Sequence, residues 1–218
     1  MKKFISVAVS LMLAVMLCSC GLESDLTNSD TSYSSDISNN SSVSFEVGKV
    51  SGNKYTNKFL GIGCTLDSQW VFRTDEQIKE VNNIAFDMLD DDMKEQLENA
   101  TIVYDMMAMA ENGASININI ENLGAVGAFK SVESYISPQM DSLKAALEQV
   151  GLTDVSIEIR TFDFAGKSEK GMYVHAMANG NVFEEAIIIL KCGTRFANIT
   201  IATTKEDLES ILSYFYAV

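Results

Sequence analysis

Side chains of distinctive chemistry are few in this chain: four cysteines, one histidine, and acids that outnumber the bases 30 to 16. Cys18 and Cys20 close an apolar run, Phe4 to Leu17, that is broken only by Ser6 and Ser10 and preceded by Lys2 and Lys3. A positive start, an apolar stretch and a small residue at its end are the parts of an export signal, and the run is shorter than the ~20 residues a helix needs to cross a bilayer. Cys64 lies in the apolar strand pattern Leu60-Gly61-Ile62-Gly63-Cys64-Thr65-Leu66, whereas Cys192 stands beside Gly193 in a tight turn. A disulfide is chemically allowed outside the cytoplasm. The two settings nevertheless predict free thiols, one buried and one exposed. No C-x-x-C pair occurs, so the spacing offers neither a structural zinc site nor a thioredoxin-type motif.

The remaining candidates read as structural. His175 falls in a strand pattern beside Tyr173 and Met177, and a catalytic base needs a nucleophile or an orienting carboxylate that the sequence does not mark. Gly61-Ile62-Gly63 lacks the third glycine and the following helix of a dinucleotide site, so it predicts a backbone bend or bulge. Asp90-Asp91-Asp92 are consecutive, unlike the alternating ligands of an EF-hand, and suit the start of a short helix. Met106, Met107 and Met109 would point to alternating faces of a strand, which favours adaptable core packing over a thioether metal site. Gly124 to Phe129 reads as a flexible connection from a strand to a helix. No catalytic, metal-binding or cofactor-binding residue is assigned, and no cofactor is expected.

The elements that would position these residues follow from composition and periodicity. Gly21 to about Gly52 is dominated by Ser, Asn, Asp and Thr, too polar to offset the entropy of ordering it. It predicts a tether with a span of about 30 Å. Residues 53–218 are long enough for one domain with a substantial core. The formal charge of −14 and pI near 4.4 disfavour nucleic acid or anionic headgroups as partners of the folded body.

Ser115 to Ile120 and Val155 to Arg160 alternate apolar and polar residues, and Thr101 to Ala110 is apolar on both sides. Asn112-Gly113 and Asn179-Gly180 are hairpin turns by their chemistry, and Cys192-Gly193 is a weaker one. They predict antiparallel pairs of 101–111 with 114–121, 171–178 with 182–191, and 182–191 with 194–203. Thr74-x-x-Gln77 predicts a capped helix. Val132, Ile136, Met140, Leu143, Leu147 and Val150 mark another, kinked at or starting from Pro138. Thr204-x-x-Asp207 predicts a last helix with Leu208, Ile211, Leu212 and Phe215 inward, and Tyr214 to Tyr216 sealing it onto the sheet. The expected class is α/β, an antiparallel sheet with helices on both faces.

Two resemblances add to this reading. Leu17-Cys18-Ser19-Cys20, followed by Gly21, resembles the lipobox of bacterial lipoproteins. The resemblance implies that residues 1–19 are a signal peptide, that the Cys20 sulfur takes a diacylglyceryl group, and that Cys20 becomes the mature N-terminus. Residues 20–52 would then form a lipidated tether, the membrane lipid would be a partner through the Cys20 acyl chains, and the protein would lie on the extracytoplasmic face of the cell membrane. The element order, with Tyr55 to Phe72 as the domain start and an early Trp70, resembles the Mog1/PsbP-like α/β/α sandwich and small lipoproteins of unknown function. That resemblance implies a non-catalytic module that binds another envelope protein or assists assembly. A small-ligand carrier is the alternative, and a carboxylate-based envelope hydrolase a lesser one.

Overall fold

Strand alternation sets which side of the main sheet each residue faces. In the computed structural model, which describes residues 44–80 and 102–218, six long strands run β5 (Ile102–Ala110), β6 (Ser115–Asn122), β7 (Thr153–Phe164), β8 (Lys167–Ala178), β9 (Asn181–Cys192) and β10 (Arg195–Thr203). With the short β4 (Trp70–Phe72) they form an antiparallel sheet ordered β4-β5-β6-β10-β9-β8-β7. The three expected hairpins are present. Asn179 and Gly180 take φ of 51° and 80°, as a two-residue hairpin turn of this type requires. A further hairpin joins β7 to β8 through Ala165 and Gly166, at φ of 50° and 76°. An alanine in the left-handed region carries no turn signal in sequence.

Four shorter strands, β1 (Lys49–Ser51), β2 (Lys54–Asn57), β3 (Ile62–Thr65) and β11 (Phe215–Ala217), make a second antiparallel sheet in the order β1-β2-β3-β11. Gly61 reaches φ 69° at the bend before β3, and the Tyr216 ring lies so close over Gly63 that a Cβ there would meet it at 2.6 Å. The Gly61-Ile62-Gly63 pattern thus serves a bend and a close approach between strands.

Helices cover the other face. α1 (Gly124–Phe129), α2 (Val132–Ile136) and α3 (Met140–Gln149) follow β6, with a 3-10 turn at Ser137–Gln139 between the last two. Pro138 lies in that turn, so the expected helix is interrupted there. Ser131 caps α2 by accepting from Ser134 N at 3.1 Å. Tyr135, Ile136, Leu143 and Leu147 pack on Met172, Val174, Phe183, Ile187, Ile189 and Phe196. On the opposite side Tyr55, Ile62, Cys64, Leu208, Ile211 and Phe215 pack on Met106, Ile116, Ile118, Ile188 and Ile199. Residues 75–80 are helical, and Thr74 and Gln77 exchange both capping-box bonds, at 3.1 and 3.3 Å. The rest of that expected helix and Asp90-Asp91-Asp92 lie outside the described residues.

The result is a mixed α/β fold of two antiparallel sheets with flanking helices; helices lie on both faces of the large sheet but unequally, and a second sheet that was not expected shares one of those faces. One face of the large sheet carries the helices α1–α3. The other carries mainly the small sheet, with only the five-residue α4 (Leu208–Leu212) beside it. The cause lies at the C-terminus. Asp207, not Thr204, caps α4 by accepting from Ser210 N at 3.0 Å, and the helix ends before Ser213. Phe215 then buries its ring from a strand paired with β3 rather than from a helix. The domain boundary expected at residue 53 also falls inside a hairpin, because Lys49, Val50 and Ser51 pair with Thr56, Tyr55 and Lys54. These β1 residues are exposed and follow a polar stretch, so nothing in their composition sets them apart from a tether. Phe45, farther upstream, packs edge-on against Phe59 with centroids 5.2 Å apart.

Candidate functional site

β7 is positioned by the Ala165-Gly166 turn and by its pairing with β8. Among the described residues it has a strand neighbour on one side only. From Ser156↔His175 to Phe164↔Lys167 the pairing keeps an unbroken register, so the outer edge presents a regular row of backbone donors and acceptors. Irregularity is confined to the start, where the register shifts between Thr153 and Ser156 and Asp154 takes φ 54°. Val155 and Ile157 face the helical side, and alternation places Ile159 with them, 40% exposed. Glu158 and Arg160 project from the opposite face and form an ion pair at 2.6 Å. The Arg160 guanidinium also lies 3.6 Å over the Tyr173 ring. The Tyr173 hydroxyl donates to Glu184, and partial burial together with that carboxylate pushes its pKa up to about 12. So exposed a pair contributes little to stability, but it holds two charged side chains in a fixed order along an open edge.

A second polar constellation lies beneath α2. Tyr135 Oη donates to Glu121 Oε2 at 2.9 Å, and Asn198 Nδ2 lies 3.0 Å from both Tyr135 Oη and Asn119 Oδ1. The Tyr135 ring stacks on Phe196 with centroids 4.5 Å apart. Burial pushes the Glu121 carboxyl up to about 7, against the opposing pull of the Tyr135 hydrogen bond and the Lys130 charge. On β9, Glu185 is fully buried, and burial raises its pKa well above the usual carboxylate range. Neither of its oxygens, nor Thr200 Oγ1, has a hydrogen-bond partner among the described residues. Burial thus favours the protonated form of both acids on the helix-facing side of the sheet.

Asp105 forms a third cluster, missed because its strand reads as apolar on both sides. The register of β5 shifts between Tyr104 and Met106, which turns Asp105 toward the small sheet. The Tyr55 hydroxyl donates to its carboxylate, Asn57 Nδ2 does so at 2.8 Å and Gly48 N at 2.6 Å. Burial, and then the adjacent Asp105 charge, keep the Tyr55 phenol protonated far above its ordinary range. Asp105 thus joins the two sheets.

The residues singled out in the sequence scatter through this frame. Cys20 lies outside the described residues. Cys64 is buried and Cys192 half-buried, both free, and burial pushes the Cys64 thiol up to about 12. His175 stands on β8 opposite Glu184, and its backbone carbonyl accepts from Ser156 Oγ at 3.3 Å. Met106 and Met107 are buried, while Met109 Sδ lies 3.1 Å from an Arg73 guanidinium nitrogen. Gly124 to Phe129 is the short helix α1 rather than a flexible connection. Gly127 permits it, since a Cβ there would meet the Thr194 carbonyl oxygen at 2.4 Å.

Among the described residues, two of the clefts that open on the surface bear on function. One, of about 180 Å³, is lined by residues including Leu60, Phe164, Lys167, Glu169 and Cys192. The other, shallow and about 520 Å³, is lined by residues including Val50, Asp67, Trp70 and Val71. Glu121 and Glu185 line neither. Among the described residues no group of three or more His, Cys, Asp or Glu could hold a metal ion, and no helix is long and apolar enough to cross a membrane. No protein-family model matches the chain, and no curated protein matches it.

Proposed function

We propose that this chain is a lipid-tethered protein-binding module of the bacterial cell envelope, anchored at the extracytoplasmic face through acyl chains on Cys20. It acts without catalysis, as a protein-binding or assembly accessory module. The observation that carries the binding role is the open edge of β7, whose regular register suits addition of a strand from a partner. The run from Lys2 to Cys20 supports the anchor, and two or more acyl chains hold where one is marginal. We further propose kinship with the Mog1/PsbP-like sandwich, a reading supported by the antiparallel large sheet with helices α1–α3 on one face and α4 on the other.

The test is photo-crosslinking in native membranes from a probe placed in the full-length chain at Thr161, on the β7 edge, with Phe129 on α1 as a control. A protein adduct formed from Thr161 and absent from Phe129 is the expected result. Equal adducts from both positions, or none from Thr161, would overturn the role of β7.

A second reading, a carrier of a small apolar ligand, is favoured by the cleft beside Cys192. Its volume lies below the ~300 Å³ at which ligand pockets ordinarily begin, and native mass spectrometry of the purified protein decides it by the presence or absence of a bound mass. A carboxylate-based hydrolase draws least support, since the lining of each cleft includes one acid, Glu169 or Asp67.

A further inference from the structure

We propose that the strand which completes the β7 edge belongs to a second copy of this chain, paired antiparallel about a two-fold axis through Ile159. The inference rests on the reading of β7 as a binding edge and names its partner. In such a pair, residues equally distant from the axis stand opposite one another, and each face of the sheet continues across the junction. An axis at Ile159 sets Glu158 of each copy opposite Arg160 of the other. The pair that lies within one strand at 2.6 Å thereby becomes two pairs across the junction.

The register is selective. Moving the axis one residue toward the N-terminus sets Glu158 opposite its own copy, and moving it one residue the other way sets Arg160 opposite its own copy. Like charges directly opposite are destabilising. On the other face Ile159 meets Ile159 at the axis and Ile157 meets Thr161, which covers an apolar side chain that is 40% exposed in the single chain. Arg160 is already ordered by its stacking over Tyr173, so less freedom is lost on pairing. The irregular segment from Thr153 to Ser156 bounds the paired stretch to Ser156 through Phe162. A contact this small is modest in free solution, but chains confined to one membrane surface by their anchors meet at high effective concentration.

The experiment uses the full-length acylated chain in its native membrane. Ile159→Cys places a thiol on the axis, and mild oxidation should give a disulfide-linked dimer at least tenfold above the parent, whose Cys64 and Cys192 supply the background. In that background Glu158→Arg alone and Arg160→Glu alone should each reduce the dimer several-fold, and the double exchange should restore it. No dimer above the parent level, or no restoration by the double exchange, overturns the proposal. If I159C gives no dimer while a probe at Thr161 captures a different protein, the self-pairing is wrong and the binding role of β7 stands. If both experiments are blank, both readings fall.

Discussion

Exchange of Glu121 for Gln isolates the cost of burying a carboxylate beneath α2. In the folded chain Glu121 titrates at about 7 against an ordinary 4.5, raised first by burial. A folded-state value above the unfolded one means that the native state holds the proton while the unfolded chain has released it. Stability is therefore undiminished below pH 4.5 and falls as pH rises toward 7. Every tenfold difference in proton affinity between the two states corresponds to about 1.36 kcal/mol, so the loss approaches about 3 kcal/mol above pH 7. Gln at this position still accepts the Tyr135 hydroxyl hydrogen bond, made at 2.9 Å in the parent, and has no charge to lose. Urea unfolding followed by the fluorescence of Trp70, the single tryptophan and a buried one, measures the difference. The variant should lie within about 1 kcal/mol of the parent at pH 5 and stand about 3 kcal/mol above it at pH 8. Identical pH dependence in both proteins, or a variant less stable at pH 8, would mean that burial of this carboxylate is not a source of instability.

Other perturbations follow from the same geometry. Glu185→Leu removes a fully buried carboxyl with no partner among the described residues, and urea unfolding at pH 7 should show a gain of about 1–3 kcal/mol. Asp105→Ala strands the Tyr55 hydroxyl, Asn57 Nδ2 and Gly48 N; the same assay should show a loss of at least about 3 kcal/mol, since each of these orphaned donors costs about 1–3. Gly171→Ala drives a Cβ to within 2.2 Å of the Ile187 carbonyl oxygen, and thermal unfolding should register about 1–3 kcal/mol of destabilisation. In the native protein a thiol reagent should label Cys192 well before Cys64, whose thiol is fully buried and pushed up to about 12, and Cys192→Ser should remove the faster phase.

What the sequence disclosed depended on how local the governing physics is. Asn179-Gly180, the Thr74 capping box and the alternation of Ile116, Ile118 and Ile120 were legible because each is set within a few residues. The β7–β8 turn was not, since Ala165 adopts φ 50° under the constraint of two long strands rather than by its own preference. β11 was hidden for a similar reason. The spacing of Leu208, Ile211, Leu212 and Phe215 fits a helix, and only pairing with β3, some 150 residues earlier in the chain, makes Phe215 a strand residue. Of the candidate sites, the alternation of Val155, Ile157 and Ile159 marked β7 as a strand. Its place at the sheet edge is a property of strand order. The buried acids gave even less warning, because Glu121 and Glu185 differ from the other acids only in what covers them.

A protein leashed to the outer face of the membrane by its first mature residue must show that leash in its N-terminal peptide, and the mass of that peptide, taken from protein extracted from its native membrane, decides the matter. The expected peptide begins at Cys20 and carries the added mass of a diacylglyceryl group on sulfur. A peptide beginning elsewhere, or an unmodified Cys20, would disprove the anchor.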